Sequence, residues 1–248
     1  MERAAAEAGV SLTLRFQPFQ LYPHLPGHTD RHDDGPQSSP PQETTEGKVA
    51  AASATTQTVS PATASPATTL PGVDKGAFFL RNSKRVRPDE TDDMRTRRRQ
   101  RVVEAWAEEG LSLSDVYGSL DGARVGNSFD AQRLILFARR RNKEDAVIEA
   151  VYAANHERGE CLGDRSVLQA AAERAGLPGD DVRAMLESSE GVEEVQEKIE
   201  EYRRMGVNAV PVVILEGRFM INGYPEVGML TAAFKQLAET GSIDGALL

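Results

Sequence analysis

An α/β fold, with a long run of helices between its strands, is predicted by three features of this 248-residue sequence. Residues 11–19, SLTLRFQPF, alternate apolar and polar side chains, which is the period of a strand. Residues 127–205 carry apolar side chains at helical spacing in several consecutive blocks. Residues 206–223, GVNAVPVVILEGRFMING, then switch to a β-branched run, a turn and a second strand. Strands at the two ends of a chain need not pair with their sequence neighbours, as α/β layouts allow.

The elements follow in order. Residues 2–8 are helix formers, and Gly9 supplies a stop. In the strand that follows, Leu12, Leu14 and Phe16 share a face, and Pro18 ends or kinks it. Residues 27–72 are dominated by Pro, Ser, Thr, Ala and Gln, as in TTQTVSPATASPATTLPG. Such a stretch buries too little apolar surface to offset its ordering entropy and is expected to be disordered. HLPG at 24–27 and TLPG at 69–72 bracket it. Residues 92–109 suit a helix ending near Gly110. Asn127 or Ser128 can cap the next helix, which carries Leu134, Ile135, Phe137 and Ala138. Residues 143–157 cluster Val147, Ile148, Val151 and Tyr152, and Asp164 caps a further helix that stops at Gly176. Residues 180–187 and 190–205 complete the helical run. VPVVIL is continuous and β-branched, the pattern of a strand buried on both faces. Glu216-Gly217 is a tight-turn signal before RFMIN, and residues 225–239 close the chain as an amphipathic helix.

Composition excludes several classes. A net charge of −9 and a pI near 5.1 argue against a nucleic-acid binder. No apolar run reaches the roughly 18 residues of a membrane-spanning helix, so no membrane partner is expected. MERAAAEAGVSL has no apolar signal core, and a cytoplasmic location is expected. Cys161 is the only cysteine, so no internal disulfide or dithiol cycle can form.

The candidate chemical residues are few. Pro211 stands at the entry to an apolar strand, where it cannot donate to a ladder. A trans proline starting a strand explains the pattern. A cis Val210–Pro211 bond would instead turn the N–H and C=O of Val210 outward, where an extended peptide could pair with them. Cys161 lies in RGECLGD without a second cysteine or a basic neighbour and reads as an incidental thiol. His24, His28 and His32 have a metal-ligand spacing only on a helix, which Pro26 and Gly27 break, so no metal is expected. Nine basic residues between Arg81 and Arg101 could form a nuclear signal or anion patch, but Asp89, Glu90, Asp92 and Asp93 interleave and favour a solvated helix face.

Five segments in order carry a family resemblance. GVNAVP-VVILEGRFMINGY is similar to the proline loop and hairpin of DsbA-like oxidoreductases of the FrnE subgroup. RFQPFQLYPHLP (15–26) resembles that family's strand and following loop. GVDKGAFFL (72–80) and MRTRRRQRVVEAWAEEGLSL (94–113) resemble its first inserted helices. NSFDAQRLILFA (127–138) resembles its N-[ST]-x-x-A-x-R helix start, and GDRSVLQAAAERAGL (163–177) a later helix.

The resemblance implies a thioredoxin-like fold with a large all-helical insertion. It divides the chain into a partial thioredoxin-like start (1–26), a low-complexity insertion (27–72), a helical subdomain (73–205), a C-terminal hairpin and helix (206–240) and a tail (241–248). It also implies a cis Pro211, with Val210 and Pro211 contacting substrate and Asn127 near them. The family's first, central strand leads into a Cys-x-x-Cys helix start, and both are missing here. That segment would precede Met1, so an N-terminal truncation is expected. Without that strand, the segment over 11–18 and the strand over 212–215 lack their shared neighbour. The implied function is that of a thiol–disulfide oxidoreductase domain, redox-inactive in this form, acting on a thiol or disulfide protein or a small molecule. A glutathione-dependent isomerase or transferase of the kappa type, with glutathione as cofactor, and a non-catalytic peptide-binding module are the alternatives.

Overall fold

The computed structural model describes residues 1–13, 15–17, 25, 72–111, 119, 121–223 and 225–243. The segment expected to be disordered (27–71), the three histidines at 24, 28 and 32, and residues 244–248 of the tail lie outside these.

Two cores organise the described residues. The larger belongs to a helical unit. Here β1 (Val73–Asp74) pairs antiparallel with β2 (Arg124–Val125), and α2 (Lys75–Val86) and α3 (Asp92–Glu108) lie between them in sequence. Asp74 starts α2 by accepting from the N–H of Ala77 at 2.6 Å, and Thr91 accepts from that of Met94 at the start of α3. The strands β1 and β2 were not foreseen, because two-residue strands carry no periodic signal. Gly72, just before β1, must lack a side chain. Its φ is +79°, and a Cβ there would come within 2.7 Å of the Cys161 sulfur and 2.5 Å of the Val125 carbonyl oxygen.

The helices α4 (Phe129–Arg139), α5 (Glu144–Tyr152), α6 (Arg165–Arg174), α7 (Gly179–Glu187) and α8 (Val192–Arg204) follow. Their apolar spacing places Leu134, Phe137, Val147, Val151, Leu168, Ala171, Val182 and Met185 in one buried cluster. The opposite side of α4 gives Leu136 to Val195 and Ile199 of α8. Asp164 caps α6 as expected, accepting from Ser166 N–H at 2.8 Å. Tyr152, grouped by sequence with the core, is instead 49% exposed. At this point α5 widens into a π-helical turn, Ala153–Glu157. That turn brings Asn155 to Lys75, whose buried Nζ donates to the Asn155 carbonyl at 2.5 Å and to its Oδ1 at 3.3 Å.

The second core belongs to the hairpin unit. Strand β3 (Val212–Leu215) pairs antiparallel with β4 (Phe219–Asn222). Against them pack α1 (Glu2–Ala8) and α9 (Val227–Thr240), burying Ala4, Ala5, Leu215, Ile221, Leu230 and Phe234 together. Glu216 (φ 51°) and Gly217 (φ 67°), both left-handed, lead the three-residue turn 216–218, which Arg218 closes by donating its N–H to the Leu215 carbonyl at 3.0 Å.

Two strand expectations are corrected. Residues 11–13 and 15–17 form no strand; Leu12 packs on the hairpin core, but Phe16 is 47% exposed. VPVVIL is not buried on both faces, since Val212, Val213 and Ile214 are only half-buried. One physical reason covers both. Among the described residues β3 pairs with β4 alone, so no strand covers its second edge and none offers residues 11–17 a ladder.

Candidate functional site

The loop from α8 to β3 positions Val210 and Pro211. Gly206 ends α8, and buried Val207 donates its N–H to the Tyr202 carbonyl at 2.9 Å, fixing the loop at its root. Residues 208–211 are then all exposed, with Val210 at 48%. The Val210–Pro211 peptide bond is cis. The Pro211 carbonyl accepts from Gly223 N–H at 3.0 Å, which extends the hairpin ladder by one step beyond β3 and β4. No hydrogen bond among the described residues uses the N–H or C=O of Val210. Among the described residues the site is therefore an exposed apolar side chain and a peptide unit without a partner, leading directly into a strand whose second edge has none either.

Asn127 stands at the start of α4. Its Oδ1 accepts from the N–H of Phe129 at 2.9 Å, closing the first turn of α4. Ser128 occupies the cap position but makes no capping bond with its side chain. The helix α4 packs on α5, α6, α7 and α8.

The arginine that ends the NSFDAQR motif, Arg133, is a residue that sequence reasoning passed over. It is 1% exposed. Its guanidinium donates to the carbonyls of Met185, Ser188 and Glu190 at 2.8, 2.6 and 2.8 Å and to Asp130 at 2.6 Å. It thus satisfies carbonyls left open where α7 ends and binds that corner to α4. Asp130 is held in turn by Arg165 at 2.8 Å. The motif was the signal, because an arginine one turn into a helix with apolar neighbours needs several acceptors when it is buried.

Cys161 is buried, and burial pushes its thiol pKa up, with Asp164 adding to the effect. A thiol held in its neutral form beside Gly72 is a packing group, not a nucleophile. In the basic run, Arg97 pairs with Asp93 on the exposed face, but Arg95, which pairs with Asp92, is buried, and the Glu90 side chain that pairs with Arg98 is largely covered, so the run is ion-paired but not the wholly solvated face expected. Arg98 holds Glu90 down to about 2, with Ser83 donating a further hydrogen bond. Among the described residues no group of His, Cys, Asp and Glu could hold a metal ion, and no helix is long and apolar enough to cross a membrane.

A hairpin packed against two helices, a proline loop at its entry and a helical insertion are the parts of a thioredoxin-type domain. The family model of the DSBA-like thioredoxin domain matches residues 73–235, and the chain belongs to that family. A solved structure, a probable DsbA oxidoreductase from Streptomyces coelicolor, is similar at 23% identity and a TM-score of 0.57, covering 65% of this chain and 68% of its own. That likeness is one of fold. No curated protein matches the chain.

Proposed function

We propose that this chain is a FrnE-type member of the DsbA-like family whose working surface is a peptide-binding edge at Val210, Pro211 and β3. One observation carries this reading: Val210 is 48% exposed, its peptide unit has no partner among the described residues, and it leads into a strand edge equally without one. An extended substrate segment would donate to and accept from Val210 and continue along β3, with its apolar side chains on Val210 and the half-buried face of Val212 and Ile214. Binding by strand addition takes its affinity from backbone bonds and its selectivity from such side-chain contacts.

The chain itself runs no dithiol cycle, because its single cysteine is buried and kept as a thiol. Two assays separate these statements. Insulin reduction in the presence of dithiothreitol should proceed at the protein-free rate; acceleration by the purified chain would overturn the redox half. Fluorescence anisotropy with extended apolar peptides tests the other half. Binding is expected, and Val210→Asp should weaken it by about tenfold or more, since a charge replaces the apolar contact. Peptide binding that ignores this substitution would place the surface elsewhere.

A further inference from the structure

The segment after α1 touches both units. At its front, the Val10 N–H donates to the Ala5 carbonyl at 3.0 Å, and the side chains of Val10 and Leu12 pack on the hairpin core. Further along, the carbonyl of Phe16 accepts from Nη2 of Arg139, at the end of α4. The attachment is polar, since the Phe16 ring is 47% exposed and contributes little by burial. The donor is oriented in advance. Glu144, at the first turn of α5, takes Nε and Nη2 of Arg139 at 2.9 and 2.6 Å, in a two-point pair that fixes the plane of the guanidinium. Both side chains are largely covered, at 27% and 17% exposure, so water competes weakly for them.

We infer that residues 10–13 and 15–17 belong to a strap between the two units, anchored by apolar packing on the hairpin core and buckled to the helical unit by Arg139, with Glu144 as the positioning residue. This strap takes the place of a strand ladder. The segment has the alternating sequence of a strand but no strand to pair with among the described residues, so its attachment passes to one charge-assisted bond.

The sequence supplies its own probe. Arg15 precedes Phe16, so trypsin cleaves within one residue of the buckle, and mass spectrometry reads release of fragment 1–15. Cleavage inside a folded protein tracks local opening when closing is fast. Arg139→Met should raise the rate at Arg15 by about tenfold, the loss of one charge-assisted bond. Glu144→Gln should raise it by about threefold, since it frees the guanidinium without removing it. Arg140→Met is the control: Arg140 pairs with Glu190 and Glu194, away from the strap, and should leave cleavage at Arg15 unchanged. Wild-type cleavage rates in both Arg139→Met and Glu144→Gln would overturn the strap. So would an equal rise in Arg140→Met, which would mean general loosening. If Arg139→Met fails to fold, Glu144→Gln against Arg140→Met decides alone.

Discussion

In the helical unit, α4 is covered on two sides: Leu134, Phe137 and Ala138 face α5 to α7, while Leu136 faces α8. Its polar loose ends are covered too, by Asn127 at its start and by Arg133 across to the end of α7. In the hairpin unit, β3 is covered on one face by α1 and α9 and paired on one edge by β4. Its other edge and the Val210 peptide unit before it have no partner among the described residues. A helix makes its hydrogen bonds within itself and needs neighbours only for its side chains, whereas a strand needs neighbours for its backbone as well. Around α4 the helical unit is therefore closed, whereas the hairpin unit has an edge without a described partner, and the proposed binding surface lies there.

The largest test of this contrast is the Arg133 hub. Arg133→Met should cost about 3–5 kcal/mol, because a buried guanidinium loses its bonds to the Met185, Ser188 and Glu190 carbonyls and to Asp130 at once. Denaturant unfolding measures it; a loss below about 1 kcal/mol would show the hub to be dispensable. A paired truncation compares the cores directly. Leu168→Ala, at a fully buried position, should cost about 2–5 kcal/mol, and Ile214→Ala, on the half-buried strand, about 1 kcal/mol. Equal losses would mean that β3 is covered in solution. Glu216 pays a steric cost at φ 51°, where Asn is better tolerated, so Glu216→Asn should stabilise the hairpin by roughly 1 kcal/mol in thermal unfolding.

The smallest effect lies in the helical unit. Glu90 is lowered from 4.5 to about 2, foremost by its hydrogen bond from Arg98. A carboxylate lowered on folding contributes stability that is complete above its unfolded value and is lost as pH falls through its folded one. The chain should therefore lose stability between about pH 4.5 and 2, and Glu90→Gln should flatten the unfolding curve across that window. An unchanged slope in the variant would show that other carboxylates govern acid unfolding.

Much of the fold was legible in the sequence because its signals are local. The stops at Gly9 and Gly176, the Asp164 cap, the periodic faces of α4 to α6 and the turn at Glu216-Gly217 each depend on a few neighbouring residues. The proline at the strand entry was visible the same way, but its local pattern read as trans, and the cis bond was implied only by the family resemblance. Three features were not legible. The β1–β2 ladder joins residues some fifty apart through only two residues each. The π-helical turn exists where Asn155 meets Lys75, eighty residues away. Phe16 and Tyr152 fit apolar patterns, yet their rings end up outside, because a pattern marks a face but not what covers it.

By itself, the sequence determined the helices, the hairpin, their caps and turns, since backbone propensity and side-chain period act over short range. Tertiary structure decided what pairs with what. It left residues 11–17 without a ladder and fastened them through Arg139, gave Arg133 its three carbonyls, buried Cys161 against Gly72, and kept the second edge of β3 free of a described partner. A backbone group can be satisfied from any distance along the chain, so its partner is fixed only when the whole chain has packed.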